Sequence, residues 1–197
     1  EHTADSLIRQ DVKNNKIHIK LDKEIDVCDL EDIFISGDHN VENALAATAI
    51  SYLNGIEPGV IGSVLKTFKG LEHRYEYVDE IRGVKYFNDS KATNPESSIP
   101  VVKSAKVPTI IIAGGMDKKS AFDEFFKAFN KNIKGLILLG ETAEMMKDTA
   151  AKYGYCDVEI VKTIDEAVEM AAALAVDGDN VVLSPACASW DMYESFE

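Results

Sequence analysis

Short apolar runs rich in β-branched residues, separated by stretches of helical pattern, constrain the fold of residues 71 to 197 more than any other feature of the chain. Ile110-Ile-Ile112 is representative, and similar runs end at Leu139 and Leu183. Runs of this kind, alternating with amphipathic helices, belong to a mostly parallel sheet covered on both faces. Strands are predicted over Tyr75–Ile81, Val84–Phe87, Thr109–Ala113, Leu136–Leu139, Val158–Val161 and Val181–Leu183. Helices are predicted around Ser97–Ser104, Phe122–Phe129, Ala143–Tyr153 and Ile164–Ala175. The first two strands meet at Arg82-Gly83, a pair suited to an antiparallel hairpin. The fold class is therefore α/β, a Rossmann-like domain from residue 71 onward, with a boundary near Gly70.

The first 70 residues have another texture. Lys16-Ile-His-Ile-Lys-Leu21 alternates with period two, and residues 16 to 36 read as short strands broken at Asp22 and Asp29. From Asn40 to Asn54 the spacing of Val41, Leu45, Ala49 and Leu53 is helical, with Gly55 as a stop. A second helix follows Pro58 and ends near Gly70. No internal repeat relates the two parts.

Apolar residues make up 46% and charged residues 28% of the 197, which is globular composition. The net charge of -13 repels phosphate backbones and anionic lipid, so nucleic acid and membranes are excluded as partners. An anionic ligand then needs a local cationic pocket. Cys28, Cys156 and Cys187 are odd in number and far apart, as in a reducing cytosol. No apolar run approaches the ~20 residues of a membrane span. The chain starts without Met and stops in a helical-looking run, so a piece of a longer protein is expected.

In open α/β sheets ligands gather beyond the carboxyl ends of the strands. Four segments follow strands there: Asn88-Asp-Ser-Lys-Ala-Thr-Asn-Pro95, Ala113-Gly-Gly-Met-Asp-Lys-Lys-Ser120, Gly140-Glu-Thr142 and Ser184-Pro-Ala-Cys-Ala-Ser-Trp-Asp191. They are expected to face one crevice. In the first, Asn94 and Pro95 suit an N-cap and first helical position. Capping leaves Asp89, Lys91 and Thr93 unexplained, and those are the chemical candidates. Gly114-Gly115 permits close backbone approach, with Lys118 or Lys119 as a cation at the rim. The small residues from Ser184 to Ser189 are expected to open a helix whose N–H groups suit a carboxylate or phosphate. Cys187 reads as inert packing. Asn40 and Asn43 lie three apart, so both amides point one way; they either read an adenine edge or serve as cap and surface. No GxxxxGK[ST] loop occurs in the chain.

In order along the chain, Gly37-Asp-His-Asn-Val-Glu-Asn43, Leu71-Glu-His-Arg74, Asn88-Asp-Ser-Lys-Ala-Thr-Asn94, Gly114-Gly115 and Leu183-Ser-Pro-Ala-Cys-Ala-Ser-Trp-Asp191 resemble the ATP-dependent Mur ligase family. The form of the Asp89 segment resembles the members that add D-glutamate. The resemblance implies a three-domain parent. Residues 1–70 would be an incomplete C-terminal portion of the central ATP-binding domain, and 71–197 a truncated C-terminal domain that binds D-glutamate. It implies ATP and Mg2+ as cofactors, and D-glutamate and UDP-N-acetylmuramoyl-L-alanine as small-molecule substrates, in a monomeric cytoplasmic parent. The amide would form through an acyl phosphate.

Carried over residue by residue, the resemblance puts Asn40 and Asn43 at the adenine, Arg74 at phosphates or ribose, Asp89 at the ribose and Lys91 near the transferred phosphate. Lys91 and Arg74 would be the catalytic side chains. Thr93, Lys118, Ser189, Trp190 and Phe196 would hold D-glutamate, and no metal ligand is assigned. Without a P-loop, a carbamylated lysine or metal ligands, this piece alone is expected to be inactive. The alternatives are a sister ligase, such as a folylpolyglutamate synthase-like enzyme, and a non-catalytic Rossmann-like binding module.

Overall fold

The computed structural model describes residues 8–11, 15–20, 24–35 and 38–194. They form two compact units, Glu1–Gly70 and Leu71–Glu197.

In the first unit an antiparallel sheet of β1 (Ile8–Asp11), β2 (Lys16–Lys20) and β3 (Glu24–Asp29) accompanies α1 (Asp38–Leu53) and α2 (Pro58–Thr67). A single 3-10 turn, Leu30–Asp32, follows β3. β1 carries no periodic apolar signal in Ile8-Arg-Gln-Asp11, which is why sequence pattern misses it. Ile17 and Ile19 alternate inward from β2 and meet Val27, Leu45, Ile61 and Leu65. Helix α2 approaches β3 so closely at Gly62 that a Cβ there would stand 2.2 Å from the Val27 carbonyl. Its opposite side leaves Val60, Val64 and Phe68 exposed, at the four-residue spacing of one helix face. Contiguous exposed apolar surface of this kind drives association.

The second unit is built on a six-stranded sheet in the order β4-β5-β9-β6-β7-β8. β4 (Glu76–Ile81) and β5 (Val84–Asn88) are the antiparallel hairpin, closed by Arg82 and Gly83, both at positive φ as its tight turn requires. β5, β6 (Thr109–Gly114), β7 (Ile133–Leu139), β8 (Val158–Ile160) and β9 (Asn180–Leu183) run parallel. Period two divides the strand residues between the faces. Ile111, Ala113, Leu136, Leu138 and Val182 pack against α3 (Pro95–Ser104), α4 (Asp123–Lys127) and α5 (Ala143–Lys152). Ile110, Ile112, Ile137 and Val181 turn the other way, towards α6 (Ile164–Leu174).

Chain direction explains that division. From β5 through β8 the chain steps outward across the sheet, and α6 then brings it back to insert β9 between β5 and β6. Crossovers of parallel strands are right-handed, so reversing the direction of travel requires the connecting helix to change face. The predicted helix over Phe122–Phe129 is regular only across Asp123–Lys127. Phe122, Phe125, Phe126 and Phe129 are nonetheless all buried, so packing rather than helix length fixes this segment.

Two outcomes are expected. Ile137 is fully buried on β7, so Ile137→Ala should cost about 2–5 kcal/mol in urea unfolding, and a loss below about 1 would contradict the packing. The 197-residue chain should sediment in a concentration-dependent way, with Val60→Lys plus Val64→Lys shifting it to monomer; a monomer at every concentration would refute the role of the exposed stripe.

Candidate functional site

The reversal of strand order at β9 opens a crevice outside the carboxyl ends of β5, β9 and β6, the place where doubly wound sheets bind ligands. All four segments that follow these strands and β7 converge there. The amide of Gly114 donates to the Pro185 carbonyl at 2.8 Å and that of Met116 to the Ala188 carbonyl at 2.8 Å. The amide of Gly115 donates to Thr142 Oγ1 at 3.2 Å, and that of Glu141 to Asp191 Oδ2 at 3.0 Å. Glycine is required for this closeness. A Cβ on Gly114 would stand 2.1 Å from the Leu139 carbonyl and one on Gly115 2.3 Å from the Ala188 carbonyl, and both residues have positive φ.

Asp89 anchors the first segment. It is 6% exposed, and both its oxygens are engaged: Oδ1 accepts from the Tyr75 amide at 3.1 Å and Oδ2 from the Ser184 hydroxyl at 2.8 Å. The Ser184 hydroxyl also lies 2.9 Å from that of Ser98 on α3. Burial raises the Asp89 pKa, against the opposing pull of Ser184, the Tyr75 amide and the Arg74 charge. Asp89 therefore ties together the start of the hairpin, the end of β9 and α3, a use that its sequence neighbourhood does not reveal. His73 and Tyr75, both at positive φ, sit in the segment so fastened, with the Lys91 amide donating to the His73 carbonyl at 3.0 Å.

Beside this anchor lies a cavity of about 200 Å³ lined by Ser90, Thr93, Ser189 and Cys187 over an apolar floor that includes Leu139, Leu183 and Met192. Lys118 reaches to it, its Nζ 3.3 Å from the Thr93 carbonyl and 5.4 Å from the centre of the Trp190 ring. Lys119 instead takes a left-handed backbone and donates its amide to Asp117. The structure thus gathers Thr93, Lys118, Ser189 and Trp190, with Lys91 exposed just after Asp89 in sequence and Arg74 exposed, its charge acting on Asp89. Phe196 lies outside the described residues. Asn40 and Asn43 belong to the first unit, within α1, with Asn43 Nδ2 3.3 Å from Asn40 Oδ1. Asn40 is the third residue of that helix and so does not cap it.

One expectation changes and two hold. The run from Ser184 does not open a helix among the described residues. Its carbonyls at Pro185 and Ala188 accept from Gly114 and Met116, Ala186 has positive φ, and only one turn follows, closed by the Met192 and Tyr193 amides on the Ser189 carbonyl. Small residues here serve backbone approach to the β6 loop. Asn94 does cap α3, accepting from the Ser97 amide at 2.9 Å with Pro95 next. Cys187 is buried, and burial pushes its thiol up to about 11, so it is no nucleophile at neutral pH. Sequence pattern missed Ser98 as a site support and placed Thr142 at the crevice without a role, since each acts through a partner distant in the chain.

No group of three or more His, Cys, Asp or Glu among the described residues stands close enough to hold a metal ion. These residues do not form a Mg2+ cradle by themselves.

Fold, switch-point crevice and a lysine beside hydroxyls define an α/β domain with a small polar crevice at the carboxyl edge of its sheet. The chain belongs to the Mur ligase family: the model described as "Mur ligase, glutamate ligase domain" matches residues 73–187, more than half of it. It is 53% identical over 189 residues to the UDP-N-acetylmuramoylalanine–D-glutamate ligase of Thermoanaerobacter sp. (strain X514), covering 94% of this chain and 42% of that protein. With the ligase of the same name from Clostridioides difficile (strain 630) it is 49% identical over 186 residues, covering 94% and 41%. The chain thus spans about two-fifths of the length of the curated relatives it matches.

Among solved structures it resembles the UDP-N-acetylmuramate-alanine ligase of Thermotoga maritima, with a TM-score of 0.66 at 16% identity over 88% of this chain and 40% of that one. The Mycobacterium tuberculosis folylpolyglutamate synthase complexed with ADP and AMPPCP gives a TM-score of 0.65 at 15% identity, over 92% and 46%. At such identities the likeness is one of fold.

Raised by burial, the Asp89 carboxyl should contribute stability that is complete below the ordinary aspartate pKa, roughly 3.9, and is lost as pH rises through its higher folded value. Urea unfolding across pH 3 to 7 should show that descent in the wild type and a flatter profile in Asp89→Asn. Parallel profiles would contradict a desolvated carboxylate.

Proposed function

We propose that the parent of this chain is an ATP-dependent ligase that adds D-glutamate to UDP-N-acetylmuramoyl-L-alanine in peptidoglycan precursor synthesis, and that the crevice described above receives the D-glutamate. The single observation that carries the reading is a small cavity lined by Thr93 and Ser189 over an apolar floor, with Lys118 Nζ 3.3 Å from the Thr93 carbonyl and 5.4 Å from the centre of the Trp190 ring. A dicarboxylate brought into a chain of net charge -13 needs a local ammonium, hydroxyl donors and an apolar bed for its methylenes, and these are what the crevice offers. Identity near 50% to ligases named for D-glutamate supports that amino acid over others.

In this reading the carboxylate of the UDP precursor takes the terminal phosphoryl group of ATP and ADP leaves. The amine of D-glutamate then displaces phosphate and loses a proton, leaving the amide. This chain's own share is positioning. Lys118, with Thr93, Ser189 and Trp190, holds the amino acid. Arg74 and Lys91 supply positive charge towards the phosphoryl groups, the electrostatic part of phosphoryl transfer. Asn40 and Asn43 read the adenine. Asp89 approaches the ribose only if its buried carboxylate exchanges a present partner for it, so its main work is to hold the segment that carries Lys91 and Thr93. Residues 1–70 are the tail of the central ATP-binding domain, Mg2+ is liganded mostly from outside this chain, and the parent is a cytoplasmic monomer serving cell shape and division.

Full-length parent given ATP, Mg2+, the UDP precursor and a panel of amino acids should release phosphate with D-glutamate and much less with any other. Thr93→Ala and Ser189→Ala should each raise the D-glutamate KM about tenfold, the worth of one hydrogen bond to a charged group. Preference for another amino acid would overturn the assignment. The 197-residue chain alone should show no turnover.

A further inference from the structure

We propose that Ser90 is a further specificity-determining residue, whose hydroxyl hydrogen-bonds a carboxylate of the incoming amino acid inside the cavity at the switch point. This rests on reading that cavity as the amino-acid site. Ser90 lines it beside Thr93 and Ser189 and is itself only 8% exposed. Its backbone is fixed, the amide donating to Asn88 Oδ1 at 3.0 Å, yet its hydroxyl has no hydrogen-bond partner among the described residues. A buried hydroxyl without a partner carries a desolvation cost, and folded proteins seldom keep one without a use.

The buried serine hydroxyls nearby make the contrast plain. Ser184 bonds Asp89 and Ser98, completing a closed network that excludes Ser90. What is missing at Ser90 is therefore an acceptor, and the cavity is the space beside it that can receive one. About 200 Å³ lies below the roughly 300–1,000 Å³ of pockets for drug-sized ligands and suits a single amino acid. Leu139, Leu183 and Met192 match methylenes, and the three hydroxyls match carboxylate oxygens. The Ser90 oxygen is closed to water in the unliganded arrangement. Rotation of χ1 between staggered wells is the movement that turns it to the ligand.

Steady-state kinetics of the full-length ligase with Ser90→Ala and Ser90→Cys test this. In Ser90→Ala the KM for D-glutamate should rise about tenfold or more, with a smaller rise in Ser90→Cys, whose thiol is the weaker donor. The KM values for ATP and the UDP precursor should stay within about twofold and the thermal midpoint should not fall, because the free protein loses no hydrogen bond. An unchanged D-glutamate KM, or a shift of all three KM values together with the midpoint, would overturn the role of Ser90. If Ser90→Ala does not fold, Ser90→Cys decides by the same criteria. Should the wild type prefer another amino acid, the functional reading falls, while the KM for that preferred amino acid still decides Ser90.

Discussion

The second unit depends on one buried carboxylate. Asp89 sits where β5 ends and draws in the amide of Tyr75, ahead of the hairpin, and the hydroxyl of Ser184, beyond β9, which in turn meets Ser98 on α3. Four separate pieces of chain are thereby held in one register at the edge of the sheet. Burying an ionisable group without a cationic partner in contact is costly, and the raised Asp89 pKa expresses that cost. Hydrogen bonds from an amide and a hydroxyl offset part of it. The result is a rigid floor from which Lys91 and Thr93 project, a property that sites on loops otherwise lack.

Topology supplies the opening that this floor borders. Because α6 returns the chain across the sheet, β9 enters between strands that precede it by many residues, and the loops on its two sides diverge. Gly114 and Gly115 let the β6 loop lie against the segment after β9, so the crevice is narrowed to a cavity of about 200 Å³. Family membership rests on residues 73–187, and the crevice within them presents hydroxyls and a nearby ammonium on a chain that is otherwise strongly acidic.

Much of this was legible in the sequence because local periodicity carries it. Ile110-Ile-Ile112 alternates between faces as its pattern demands, Arg82-Gly83 makes the tight turn, and Asn94-Pro95 starts a helix. The gathering of Thr93, Lys118 and Ser189 was also legible, from the rule that loops after parallel strands share one edge. Features decided by distant partners were not. The burial of Asp89 depends on a hydroxyl 95 residues away, and a polar turn read alone suggests exposure to a ligand. Likewise, Ser184 to Ser189 has the small residues of a helix start and of a close backbone crossing alike. Only the amides of Gly114 and Met116 decide for the crossing. Lys118 and Lys119 are equivalent in sequence, and the left-handed backbone at Lys119 separates them.

The central claim is that the switch-point cavity receives the glutamate. The most direct measurement is a crystal structure of the full-length parent bound to its product, UDP-N-acetylmuramoyl-L-alanyl-D-glutamate. Density for the glutamyl group is expected in the cavity, its carboxylates within hydrogen-bond reach of Thr93, Ser189 and Lys118. A glutamyl group bound elsewhere, with the cavity filled only by water, would contradict it.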